Sequence, residues 1–150
     1  MRVEEMEVRV AAFSELGVDT LYALLKLRMD VFVVEQGCAY PEIDGRDDEP
    51  GARHVWVCED GGGPVAYLRI LEEPDGSARI GRVATAKHAR GRGLAGRLVQ
   101  TALDVIGERV SRLDAQAGLR GFYERYGFAV TGPAFDEDGI AHIPMTRTPA

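Results

Sequence analysis

The opening run MEVRVAAF alternates apolar and charged side chains, which predicts a strand with Val8 and Val10 on one face. A helical period follows, with Leu21, Leu24, Leu25, Arg28 and Phe32 on one stripe and Asp19 placed to cap it. From Gly37 to Ala52 the chain is rich in Gly, Pro and acids, which predicts a long surface loop. Three strands are predicted next: His54 to Glu59, Val65 to Glu72, and Ala78 to Thr85. The turns DGGGP and Pro74-Asp75-Gly76 join them, so they form an antiparallel meander. A second helix buries Leu94, Leu98, Val99, Ala102, Leu103 and Ile106 and ends at Gly107. Ser111 to Ala115 is a strand reached through that helix, hence parallel to the strand before it. A short helix from Leu119 to Tyr126 stops at Gly127, and FAVTG and IAHIPM supply two last strands. The class is α/β: a mixed, mostly antiparallel sheet with a central parallel strand–helix–strand unit flanked by helices. No repeat or linker divides the sequence, so residues 1–150 are expected to form one domain.

The step into the second helix carries the first chemical signal. Gly91, Gly93 and Gly96 fit the G-x-G-x-x-G loop of dinucleotide sites, and Asp114 lies about where a ribose-binding acid would sit. Read from Arg90, the same residues fit Arg-x-x-Gly-x-Ala, a cradle for the pyrophosphate of coenzyme A. Only 36 residues remain after Asp114, too few for further βα units, and a doubly wound sheet does not usually begin with an antiparallel meander. The coenzyme A reading is therefore preferred. Unpaired N–H groups and the positive dipole end of the helix would face the phosphates, while Gly91, Gly93 and Ala95 let oxygens approach the backbone and Arg90 and Arg92 add charge.

Charge sharpens this picture. The chain carries a net charge of −6, which argues against nonspecific nucleic-acid binding. Yet no Asp or Glu occurs between Gly76 and Leu103, where Arg79, Arg82, Lys87, Arg90, Arg92 and Arg97 all fall. An acidic chain with one basic island at its glycine cluster points to a local anionic ligand. The N-terminus has no signal-like apolar run, and no stretch approaches the roughly 20 apolar residues of a membrane span, so a cytoplasmic protein without membrane attachment is expected. Cys38 and Cys58 are too few for a disulfide framework, lack metal spacing, and read as buried reduced thiols; no metal is expected.

RGRGLAG (Arg90 to Gly96), preceded by GRVAT and followed by FYERYGF (Phe122 to Phe128), resembles the GNAT superfamily of N-acetyltransferases. LYALLKLRMDVFVVEQGCAYPEIDGRD (Leu21 to Asp47), DAQAGLRGFYERYGF and EDGIAHIPM (Glu137 to Met145) resemble its ElaA-like branch. The resemblance covers nearly the whole chain, in the right order.

It implies that acetyl-CoA binds as cosubstrate in a V-shaped opening between the fourth and fifth strands, and that an amine attacks the thioester directly. Val83, Ala84 and Thr85 would pair by backbone with the pantetheine arm and acetyl carbonyl. Gly91, Arg92, Gly93, Leu94, Ala95 and Gly96 would wrap the pyrophosphate, with Arg90 opening the turn. Tyr123 stands where the family's usual general acid stands. Gln116 occupies the place of a common pantetheine-binding Asn. The usual acidic base on the fourth or fifth strand has no counterpart; Arg82 and Ser111 sit near where it is expected.

Candidates for that base are Glu35, Asp44, Glu137 and His142. Glu35, after the apolar run VFVV, is expected to be partly buried with a raised pKa; His142 and His54 have the alternative of satisfied core histidines. Arg28 and Arg69, inside apolar patterns, are expected to hold carboxylates such as Asp44 or Asp47. Asp44, Asp47, Asp48 and Glu49, with Asp136 to Asp138, are expected to draw a cationic small-molecule or peptide amine to the acceptor side. A late edge strand such as Ile140 to Met145 offers a route to a homodimer. The rival to an N-acetyltransferase is a catalytically silent acyl-CoA-binding or sensor module, kept open by the missing strand acid.

Overall fold

The computed structural model describes residues 2–39 and 41–149. One mixed sheet runs through it: β1 (Val8–Ala11), β2 (Arg53–Cys58), β3 (Pro64–Glu72), β4 (Ala78–Thr85), β5 (Ser111–Gln116), β6 (Ala129–Val130), β7 (Phe135–Glu137) and β8 (Ile140–Arg147). The order is β1-β2-β3-β4-β5-β8-β6, with β7 also paired to β8. Every pairing is antiparallel except β4 with β5. The predicted meander is β2-β3-β4. Its second turn closes because Asp75 accepts hydrogen bonds from the Ser77 N–H and hydroxyl while Gly76 takes a positive φ.

Alternation sends the sheet's side chains into two layers. On one face Val55, Val57, Leu68, Ile70, Ile80, Leu113 and Met145 pack under α2 (Leu94–Ile106), with Leu98, Val99, Ala102 and Ile106 as the helix's buried stripe. Gly107, at positive φ, ends α2 with its N–H on the Leu103 carbonyl. On the other face Trp56, Tyr67 and Ala84 pack against Leu24 and Leu27 of α1 (Val18–Arg28) and against Val31 and Phe32 just beyond it. β3, in the middle of β1–β4, is buried from Val65 to Leu71 because it is covered on both faces.

Several expectations are corrected. α1 is capped by Gly17, and Asp19 sits in its first turn, where its charge meets the dipole. The helix continues without a break into a π-helical stretch, Met29–Glu35, in which the N–H of Gln36 reaches back to Val31. Leu27 replaces Leu25 on the buried stripe. Val10 shares a face with Val8 but is exposed, since β1 is the outermost strand. The helix expected at Leu119 to Tyr126 divides into a 3-10 turn (Ala117–Leu119) and α3 (Arg120–Glu124). The Ile140 to Met145 segment is no edge: β8 pairs with β5 on one side and with β6 and β7 on the other, which closes that route to a dimer. Cys38 is buried, Cys58 half-buried, and both are free thiols.

The segment from Gly37 to Ala52 is more than a surface loop. Glu42 and Asp47 are buried beneath it. Arg28, only 1% exposed, donates from Nε to Glu42 at 2.7 Å and from Nη1 to Asp47 at 2.8 Å. Arg69 bonds Asp44 and Asp47, and Arg82 bonds Glu42 at 2.9 Å, so three arginines and three carboxylates pin the loop to the sheet. Burial alone would raise both aspartate pKa values, but the guanidiniums outweigh it and hold each below the usual range. The Asp47 carbonyl accepts from His54 Nε2 at 3.0 Å, so Nδ1 is the acceptor for the Tyr67 hydroxyl at 2.6 Å. Burial lowers the His54 pKa and keeps the ring neutral, as a satisfied core histidine.

Candidate active site

β4 and β5 hydrogen-bond as parallel partners only at Ala78↔Ser111 and Arg79↔Arg112, and beyond that register they diverge. A bulge in β4 adds to the divergence: Tyr67 pairs with Ala84 and Arg69 with Gly81, so Arg82 and Val83 together oppose Leu68. Arg82 takes φ 55°, a left-handed conformation rare for a side chain of its size. Backbone groups of β4 that would continue the ladder to β5 are left facing a cavity of about 610 Å³. That is the size of a small-molecule site.

The cavity draws on both faces of the sheet and on the loop before α2. Val83, Ala84 and Thr85 line it from β4; Arg90, Gly91, Gly93, Ala95 and Gly96 from the loop and the start of α2; Gln116 from β5. Gly91 and Gly93 hold φ of 78° and 76°, which L side chains rarely adopt. A Cβ on Gly96 would collide with the Tyr126 hydroxyl. No side chain caps α2, so its first N–H groups remain for a ligand. This donor set fits a pyrophosphate, and the unpaired β4 backbone fits an extended amide-bearing arm.

Two residues of the motif do not reach the cavity. Leu94 is buried in the core under α2, leaving only its backbone at the helix start. Arg92 turns back toward Met6 Sδ, 3.9 Å away. Of the remaining basic island, Arg97 anchors the carbonyls of Val3 and Met6, while Arg79 lines the cavity from the start of β4 and Arg82 from its bulge.

Glu35 lines the cavity but is exposed, and its carboxylate forms a two-pronged pair with Arg90, at 2.6 and 2.7 Å. Those hydrogen bonds lower its pKa, the reverse of the raised value expected for a base. Arg90 also donates to the Thr85 carbonyl at 3.0 Å, so Glu35 and Thr85 together fix the guanidinium beside the glycine turn.

Tyr123, on α3, is buried and reaches the cavity from the α2 face. Its ring meets Phe122 edge-on at 5.0 Å and Phe128 at 6.1 Å, and its hydroxyl bonds nothing among the described residues. Burial pushes its pKa up to about 12. His142, on β8, comes from the other face: it pairs in register with Gln116 of β5, and both side chains lie opposite the Leu113 and Met145 layer. Its Nδ1 is 2.8 Å from the Ile140 carbonyl, which can only accept, so the proton sits on Nδ1 and Nε2 is left as the acceptor. The Glu137 carboxylate is 3.9 Å from Nε2, and Phe135 stacks on the ring. The cavity thus has a protonated phenol on one side of the β4–β5 gap and a basic nitrogen on the other. Asp44, committed to Arg69 and Arg82, contributes neither.

Residues unforeseen in the sequence also line the cavity. Gln36, on the turn after the π-helix, accepts from Gln116 Nε2 at 3.2 Å; Cys38, Arg46, Leu71 and Arg79 surround the far end. Asp114, weighed as a ribose ligand, lies at that far end, 3.3 Å from Arg79. The expected acidic attraction narrows to Glu137 and Asp138, which line the cavity. Asp44 and Asp47 are neutralised within the arginine network, and Glu49 is bound to Arg46 at 2.9 Å.

Comparison with known proteins agrees with this geometry. The family model for the acetyltransferase (GNAT) domain matches residues 30–149. A UPF0039 protein of Mycobacterium tuberculosis is 46% identical over 137 residues, 89% of this chain and 88% of that protein. Protein ElaA of Escherichia coli is 41% identical over 142 residues, 89% of this chain and 91% of its own. The crystal structure of an acyl-CoA N-acyltransferase from Pseudomonas aeruginosa superposes with a TM-score of 0.88 at 39% identity, covering 96% of this chain and 100% of that one. That of E. coli ElaA also gives 0.88, at 38% identity over the superposed residues, covering 95% and 99%.

Proposed function

Because the chain belongs to the GNAT acetyltransferases, in their ElaA-like branch, and the family's acyltransferase fold implies acyl-CoA binding, we propose that it transfers the acetyl group of acetyl-CoA directly onto a primary amine. The observation that carries this reading is the β4–β5 gap, bounded at one end by the uncapped, glycine-rich start of α2 and flanked by Tyr123 and His142. The cosubstrate, when bound, supplies an acyl group activated as a thioester.

The chain's own residues then divide the work. N–H groups at the start of α2, with Gly91, Gly93, Ala95 and Gly96 keeping the approach clear, hold the pyrophosphate. Arg90 adds a charge that Glu35 keeps in place, so Glu35 acts as a positioning residue. Backbone groups of Val83 to Thr85 hold the pantetheine arm and polarise the acyl carbonyl, as a further strand would pair with β4. The Gln116 amide, tied to Gln36, guides the arm. On the acceptor side His142 Nε2 takes a proton from the bound ammonium so that the free amine attacks the thioester carbonyl, and Glu137 steadies the imidazolium that results. On the α2 side Tyr123 gives its phenolic proton to the departing thiolate, and the second proton shed by the nitrogen as the amide forms replaces it. His142 thereby supplies the base from β8, since the one acid on β4 or β5, Asp114, is paired with Arg79. The same reading makes the protein a one-domain cytoplasmic enzyme acting on a small-molecule or peptide amine.

The test joins calorimetry with CoA to thiol release from acetyl-CoA over a panel of amino acids, polyamines and peptides. Saturable CoA binding with acceptor-dependent thiol release supports the proposal. CoA binding with no transfer to any amine favours the silent module, and no CoA binding overturns both.

A further inference from the structure

At the end of the cavity away from the glycine loop, four guanidiniums line one wall: Arg46, Arg69, Arg79 and Arg82. Of their carboxylate partners, Glu42, Asp44, Asp47, Glu49 and Glu73 do not line the cavity, while Asp114, paired with Arg79, does. The wall therefore presents four guanidiniums and, among their partners, only the Asp114 carboxylate to the cavity. Arg79 is the clearest case. Its Nε bonds Glu73 at 3.2 Å and its Nη1 bonds Asp114 at 3.3 Å, while Nη2 donates to nothing among the described residues. Its side chain is one-third exposed, so a ligand can reach it. His142, Glu137 and Asp138 line the same cavity from β7, β8 and the turn between them. The arginines suit an oxyanion and this second group suits an ammonium.

Resting on the acyltransferase reading above, we infer that the acceptor is an amine that also carries a carboxylate, the carboxylate held by Arg79 with Arg46 beside it and the amine directed to His142. A guanidinium edge with two N–H groups matches a carboxylate in shape and charge. A phosphate dianion is disfavoured there relative to a carboxylate, because Glu73 and Asp114 already flank Arg79 and repel two added negative charges more than one. A diamine lacks the anion altogether and leaves the arginine wall without a partner.

Matched pairs test this: lysine against cadaverine, and ornithine against putrescine, which differ only in the carboxylate, with O-phosphoethanolamine as a phosphate-bearing probe. Two readouts are needed, kcat/KM for acetyl transfer and calorimetry of each amine into CoA-saturated protein. The expected result is at least a tenfold preference for the diamino acid in each pair, in both readouts. Arg79→Gln should collapse that ratio toward one, and Arg46→Gln should reduce it. Equal or better performance by the diamines, or preference for O-phosphoethanolamine, overturns the inference. So does an Arg79→Gln protein that keeps the wild-type ratio. Calorimetry separates this failure from failure of the acyltransferase reading. Selective binding without transfer preserves the acceptor class and sinks only the transfer step; transfer without selectivity does the opposite.

Discussion

Replacing Tyr123 by Phe isolates the proposed proton donor from everything else that residue does. The ring packs between Phe122 and Phe128, and Phe retains both contacts. The hydroxyl has no hydrogen-bond partner among the described residues, so its removal leaves no group unsatisfied and should shift stability by less than about 0.5 kcal/mol. The kinetic effect is a separate quantity. General acids contribute about 10²- to 10⁴-fold, or roughly 3 to 5 kcal/mol of barrier. A phenol whose pKa is raised to about 12 by burial is a weaker donor than an ordinary tyrosine. Proton transfer from it to a thiolate of ordinary basicity, near 8.5, runs uphill by about three and a half pKa units. The lower end of the range is therefore expected: kcat down about 10²-fold at an unchanged melting temperature. Thiol release from acetyl-CoA, with a working acceptor, reads kcat; a thermal melt reads stability. Since the shift favours the neutral phenol, wild-type activity should show no decline from Tyr123 ionisation as pH rises through 8 to 10. A variant within threefold of wild-type kcat, folded and binding CoA normally, would remove Tyr123 from the chemistry.

Other residues give sharper contrasts. His142→Gln should lower kcat by about 10²-fold while CoA affinity by calorimetry stays within twofold; equal losses in both would mean His142 serves binding. Gly93→Ala, at φ 76°, should cost about 1 kcal/mol in denaturant unfolding and weaken CoA binding at least tenfold, because the methyl enters the pyrophosphate turn. Arg28→Ala leaves Glu42 and Asp47 without a main counter-charge and should cost about 3 to 5 kcal/mol, read as a lower denaturant midpoint. Stability should also fall with acid in two stages. His54, Asp44 and Asp47 all have folded pKa values below their unfolded ones, so the unfolded chain takes up protons first as pH falls. Loss begins below the ordinary histidine value of 6.5 and steepens below the ordinary aspartate value of 3.8, each group adding at most about 1.4 kcal/mol per pH unit. A flat melting temperature between pH 7 and 4 would contradict the buried neutral state of His54.

What was legible beforehand was whatever is encoded locally. The β2-β3-β4 meander, the stripe of α2 and the glycine turn before it depend on neighbours within a few residues. So does the parallel placement of β5, which follows from a helix intervening between two strands. The arginine roles were also legible, because a lone guanidinium in an apolar period needs a carboxylate. Elsewhere the determining contacts are distant. Nothing within Gly37 to Ala52 reveals that Glu42 and Asp47 are buried, because their partners come from α1, β3 and β4. The π-helical stretch eluded a 3.6-residue period by construction, and with it went the position of Gln36. Glu35 was misjudged for the same kind of reason: the apolar run before it suggested burial, but Arg90, 55 residues later, decides its charge. β6 falls within the predicted FAVTG strand, whereas β7 is so short that its pairing with β8 is the only sign of it.

Two rungs of ladder are all that stitch β1–β4 to β5–β8 through the middle of the sheet. The molecule is thus two leaves sharing a short spine, and any guest lying along the opening acts as a binding thread between them. Occupancy should quiet amide exchange in β5 and β8, on the leaf that does not carry the glycine turn, as well as at the turn itself. A chain built this way gains mechanical coherence from what it carries, and it is most easily pried apart while empty-handed.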